Sequence, residues 1–96
     1  MTEEEQAALG AVVRGVVQAI GFRQFVIMHA RALGLSGYVR NGNDGRSVEV
    51  VAEGLRPALE ELVRHLWKGP FMARVDSVQV RWTTPSGEFG RFEARF

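Results

Sequence analysis

Residues 9–17 form a nearly continuous apolar run, interrupted by Arg14 and Gly15, and such a run has to be taken out of water. It reads as a strand buried on both faces, so the rest of the chain must be laid around an inner strand. The next residues, Gln18, Ala19, Ile20 and Gly21, are too few and too glycine-marked to continue it. The period then changes. Phe22, Phe25, Val26, His29, Ala30 and Leu33 recur at the three-and-four spacing of one helical face, and Gly34 stands where a left-handed C-terminal residue is wanted.

Residues 35–41 read as a second strand, followed by turn chemistry at Gly42, Asn43, Asp44 and Gly45. Val48, Val50 and Ala52 alternate with Glu49, Val51 and Glu53, predicting a third strand paired to the second as a hairpin. Gly54 ends it, Pro57 suits the first turn of a helix, and Leu59, Leu62, Val63 and Leu66 supply that helix's buried stripe up to Gly69 and Pro70. Val78, Val80 and Trp82 mark a fourth strand, with Val75 out of phase, which predicts a bulge near Asp76 and Ser77. After a loop over residues 83–90, Phe92, Ala94 and Phe96 alternate with Arg91, Glu93 and Arg95 in a last strand.

The order is βαββαβ with an additional C-terminal strand. Two split crossovers put both helices on one face of an antiparallel sheet, the ferredoxin-like α+β sandwich. Residues 1–8, with three glutamates among them, read as a flexible N-terminal tail, and residues 9–96 as one domain.

At 96 residues there is room for one core and no separate cofactor domain. A net charge of +1 gives no reason to expect a nucleic-acid or membrane surface governed by bulk electrostatics. Only Lys68 of the 12 basic residues is a lysine, a skew that carries little functional weight. The absence of cysteine excludes disulfides, thiolate catalysis and cysteine-ligated metals. No His, Asp or Glu cluster has metal-ligand spacing. The acidic start lacks the pattern of a secretory signal, and no stretch approaches transmembrane length, so the expected location is the cytoplasm.

The chemistry points to the first strand-to-helix junction. A loop of small and apolar residues running into a helix leaves backbone N–H groups unpaired at the positive end of the helix dipole. Arg23 adds a planar fork of donors, and together they make an anion cradle. The same residues are compatible with an arginine that merely opens a helix and faces solvent. The loop lacks the Gly-Lys-Ser/Thr ending of a nucleotide P-loop, and no cysteine nucleophile exists, so an attack on phosphorus would fall to a positioned water. Asn41, before the Gly42 turn, can donate and accept at once without repelling a phosphate. Asparagine before glycine is also ordinary turn chemistry.

Both segments resemble the signatures of the acylphosphatase family. Residues 13–23, ending Gly21-Phe22-Arg23, are similar to its first signature, apolar-x-Gly-x-Val-Gln-Gly-Val-x-Phe-Arg. Gly37-Tyr38-Val39-Arg40-Asn41 with Asp44-Gly45 resembles the second. Gly69-Pro70 and Ala73-Arg74-Val75-Asp76 resemble the family's approach to the fourth strand, and the matches keep their order from about Ala11 to Phe96.

The resemblance implies hydrolysis of acyl phosphates to a carboxylate and inorganic phosphate, with no cofactor or metal and with phosphate as product and inhibitor. It gives the phosphate to Arg23 and to the backbone of Val17, Gln18, Ala19, Ile20, Gly21 and Phe22. Asn41 would orient the water. Nucleic acid and membrane are not expected partners, and a monomer is the simplest state.

Two departures stand out. Ala19 replaces the family's glycine, a strain of about 1 kcal/mol if that position needs positive φ, and Ile20 replaces valine. Arg46-Ser47 lengthens the hairpin by one residue, suggesting a bulge. Among the rest, His29 reads as a core-edge residue, His65 as isolated, Trp67 and Trp82 as packing, and Glu60, Glu61 and Arg64 as a solvated ion-pair face. Two alternatives share the fold: a non-catalytic phosphate- or protein-binding module, and a domain like that of hydrogenase maturation carbamoyltransferases. The second lacks the zinc-finger cysteines expected beyond the fifth strand.

Overall fold

The computed structural model describes residues 5–18 and 21–96. The elements follow in the order β1 (Gln6–Val16), α1 (Phe22–Ala32), β2 (Ser36–Asn41), β3 (Ser47–Leu55), α2 (Arg56–Lys68), β4 (Arg74–Thr83) and β5 (Glu93–Ala94). They build one sheet of five strands in the order β4-β1-β3-β2-β5, with the expected βαββαβ connectivity of a ferredoxin-like α+β fold. The apolar run is indeed an inner strand, antiparallel to β3 on one side and to β4 on the other.

Several expectations need correction. Leu9, Ala11 and Val13 are buried under the helices, but Arg14 is exposed and Gly10 and Val12 are only half-buried. Both helices lie on the same side, so the strand is fully covered on one face rather than two. β1 also starts earlier than expected. Gln6, Ala7 and Ala8 pair with Leu55, Gly54 and Glu53, and two small apolar side chains are thereby buried in what reads as tail. The sheet is mixed, not wholly antiparallel, because β5 runs parallel to β2 (Tyr38 beside Glu93, Val39 beside Ala94). That last strand is two residues long; Phe92 is buried just before it, while Phe96 is fully exposed.

The bulge in β4 is where the broken period places it. Arg14 pairs with Ser77 and Gly15 with Val75, leaving Asp76 as the extra residue. No such shift occurs between β2 and β3: the register is unbroken from Ser36–Glu53 to Asn41–Val48, so the additional hairpin residue is absorbed in the turn. α1 ends in a Schellman arrangement, with Gly34 at φ 73°, Gly34 N donating to Arg31 O and Leu35 N to Ala30 O. Val26 and Ala30 of α1 and Leu59, Leu62 and Leu66 of α2 are wholly buried against Leu9, Val13, Val39, Val48 and Val50. Each fully buried Leu contributes about 1.5–3 kcal/mol, which makes this layer the main force holding the helices down.

Candidate active site

Register brings the end of β1 and the end of β2 that carries Asn41 to one end of the sheet. β1 runs out at Val16 beside the start of β3, where Arg14 faces Ser47 and Val13 faces Val48. β2 ends at Asn41, which also faces Val48. The loop leaving β1 and the strand end carrying Asn41 are therefore neighbours, although 24 residues separate Gln18 from Gly42.

The close of β1 is tightly packed. Gly15 has φ 140°, and a Cβ there would stand 2.1 Å from Arg74 O, so only glycine fits against the β4 bulge. Its N–H donates to Arg46 O at 3.0 Å, joining strand end to hairpin turn. Val17 is buried, and Phe22 anchors the far side of the loop in the core. Ala19 and Ile20, expected in the phosphate loop, lie outside the described residues.

Gly21 caps α1 in the left-handed region at φ 79° and ψ 15°, with no side-chain cap. Its carbonyl accepts the first helical bond, from Phe25 N at 3.0 Å. The N–H groups of the first turn thus have no partner within the helix, and no acidic residue in that turn offsets the dipole. Arg23 is in this turn and half-buried. Its guanidinium carbon lies 4.8 Å from the centre of the Phe96 ring, a cation–π contact. Among the described residues it forms no ion pair.

Asn41 closes β2. Its Oδ1 is buried and accepts no hydrogen bond from the described residues. An amide oxygen taken from water costs roughly 1–3 kcal/mol unless it is satisfied, so this atom is suited to a small polar visitor. The turn beside it is rigid: Gly42 N donates to Ser47 O at 2.9 Å, and Asp44 Oδ1 accepts from Arg46 N at 2.9 Å and Ser47 Oγ at 2.8 Å. Those two bonds hold the Asp44 carboxyl below its ordinary value.

Three arrangements escape the sequence reading. The Gln18 side chain reaches across to the hairpin, its Nε2 donating to Ser47 O at 2.7 Å and Gly42 O at 3.0 Å. It is the one long amide in a loop of small and apolar residues, which is the signal that could have marked it. His65, which reads as isolated, is stacked on His29 at 3.7 Å between centroids. Trp67, read as packing, is 52% exposed, and Trp82 instead carries the Arg56 guanidinium on its face at 3.8 Å.

The acylphosphatase family model matches residues 9–94. An acylphosphatase of Anaeromyxobacter dehalogenans is 51% identical over 85 residues, covering 88% of this chain and 90% of its own. The crystal structure of acylphosphatase from Bacillus subtilis superposes with a TM-score of 0.89 at 34% identity, over 94% of this chain and 99% of that one. HypF of T. kodakarensis matches 94% of this chain at 35% identity and a TM-score of 0.80, but over only 12% of its own length. With a family match across nearly its whole length and a relative identical at half its aligned positions, the chain belongs to the acylphosphatases, enzymes that act on acid anhydrides.

Proposed function

We propose that the enzyme splits the carboxyl-phosphate anhydride of small acyl phosphates at the junction of β1, α1 and the β2–β3 hairpin. The phosphoryl oxygens rest on the Arg23 guanidinium and on main-chain N–H groups of residues 17–22. Donors fixed in advance stabilise the charge on the transferring group without rearranging as it forms. Asn41 holds a water in line with the scissile bond. The water oxygen bonds to phosphorus, the bond from phosphorus to the acyl oxygen breaks, and the carboxylate leaves with that electron pair. In this reading the substrate's own phosphate takes the water's proton. No metal or cofactor is needed.

The observation that carries it is Asn41 Oδ1, buried without a hydrogen-bond partner among the described residues, at the sheet end where α1 begins. Hydrolysis of benzoyl phosphate should persist in chelator and be inhibited competitively by inorganic phosphate. Asn41→Ala should lose turnover while phosphate still binds. Full activity in purified Asn41→Ala protein would remove this residue from the mechanism.

The same reading has the enzyme act as a cytoplasmic monomer, without nucleic acid or membrane as partner. No helix among the described residues is long and apolar enough to cross a membrane. Size-exclusion chromatography across a range of concentrations tests the oligomeric state.

A further inference from the structure

We propose that Gln18 is a positioning residue, which holds the strand end bearing Asn41 in register with the phosphate cradle. The inference rests on the reading of Asn41 given above. Gln18 belongs by its backbone to the loop that follows β1, yet its side chain is bound to the opposite wall of the site. The Nε2 group has two hydrogens, and both are used: one on Ser47 O at 2.7 Å, the other on Gly42 O at 3.0 Å. Two carbonyl partners also fix which end of the amide is nitrogen, because Oε1 could donate to neither.

These carbonyls are not arbitrary ones. Gly42 and Ser47 form the last rung of the hairpin, since Gly42 N donates to Ser47 O at 2.9 Å. Asn41 is the residue immediately before that rung. The rung is crowded as well: a Cβ on Gly42 would stand 2.0 Å from Ser47 Oγ, and that hydroxyl is already committed to Asp44 Oδ1 at 2.8 Å. The hairpin end therefore has little freedom to shift unless Gln18 lets go. Gly15 N on Arg46 O, at 3.0 Å, ties the two walls through the backbone, next to the β1–β3 ladder that ends at Arg14 and Ser47. Gln18 adds a side-chain tie on the carbonyl that follows Asn41.

A residue acting this way should govern turnover more than phosphate affinity. Misplacing a reacting group by about 1 Å can cost on the order of 100-fold in rate. The variants are Gln18→Met, which keeps the length and loses the donors, and Gln18→Glu, which puts a carboxylate against two carbonyl oxygens. With benzoyl phosphate, Gln18→Met should lose about 10-fold or more in kcat, with the phosphate inhibition constant within about threefold of wild type. Gln18→Glu should be slower still at pH 7.5 and should recover relative to wild type toward pH 5, where a protonated carboxyl regains one donor.

Wild-type kcat in Gln18→Met would overturn the proposal. So would a phosphate constant weakened as much as kcat, which would make Gln18 part of the cradle, or loss of the far-ultraviolet circular dichroism of both variants, which would make it structural. Asn41→Ala, assayed alongside, keeps the two readings apart: full activity there removes the site reading, whatever Gln18 does.

Discussion

The imidazoles of His29 and His65 stack with ring centroids 3.7 Å apart and planes 20° from parallel, clamping α1 to α2. Phe25 meets both rings edge-on, at 4.5 and 6.4 Å. Glu61 Oε2 lies 3.5 Å from His65 Nε2. Burial lowers the His29 pKa, with positive charge on His65 and Lys68 adding to it and Glu61 opposing. Above about pH 6.5 both folded and unfolded states carry neutral His29, and the stack costs nothing. As pH falls below that, the unfolded chain takes up the proton first and the fold loses stability. The urea midpoint should therefore drop between pH 7.5 and pH 5, and His29→Phe should flatten the slope. An equal slope in both proteins would put the acid sensitivity elsewhere.

Arg23 should be felt in binding and rate together. Its fork sits in the first turn of α1, with no ion pair among the described residues to offset it. Arg23→Ala should raise KM for benzoyl phosphate and the phosphate inhibition constant, and lower kcat by about 10²–10³-fold. Arg23→Lys should fall between, because an ammonium keeps the charge but cannot pair two oxygens at once. An unchanged phosphate constant in Arg23→Ala would take the guanidinium out of the cradle.

What was legible in the sequence is what depends on local period and backbone conformation. The left-handed turn at Gly34 and the bulge at Asp76 both show as breaks in spacing, and both stand where the spacing breaks. The positions of Arg23 at the start of α1 and of Asn41 at the end of β2 are legible because the turn residues mark those boundaries, whereas the roles proposed for them await the assays. Coverage of β1 on one face was not legible, because Leu9, Ala11 and Val13 sit among residues almost as apolar. The parallel pairing of β5 beside β2 depends on a long connection rather than on alternation. The Gln18 clamp and the histidine stack join residues far apart in sequence, and no spacing rule reaches them.

Glu53 should prove a stability residue, far from the chemistry. It is 7% exposed, and its carboxylate accepts from Ser86 N at 2.9 Å, Ser86 Oγ at 2.8 Å and Gly87 N at 3.0 Å, pinning the loop that follows β4. Burial pushes its pKa up, but the three bonds outweigh that and leave it lowered. The contribution is therefore present above the ordinary glutamate value of about 4.3 and lost as pH falls through the lowered folded value. Glu53→Gln should cost about 1–3 kcal/mol at pH 7 by chemical denaturation, with KM for benzoyl phosphate unchanged. A stability loss that persisted undiminished at pH 3 would mean that packing, not charge, is responsible.

Gly15 supplies the sharpest steric test of how the site is framed. Its φ of 140° is unfavourable for any L side chain, and a Cβ would meet Arg74 O at 2.1 Å and Asp76 N at 2.9 Å, both backbone atoms that cannot swing aside. Its own N–H is committed to Arg46 O. Gly15→Ala must push β4 away at the bulge or pull β1 off the hairpin, and either movement shifts the loop that enters α1. Stability should fall by at least about 2 kcal/mol, with a loss of kcat beyond what the unfolded fraction explains. Gly10→Ala is the control on the same strand: nothing lies within 4 Å of its Cβ, so it should change stability by no more than about 0.5 kcal/mol. Equal effects of the two substitutions would mean that β1 is sensitive along its whole length, and that the close approach at Gly15 has no special part in shaping the cradle.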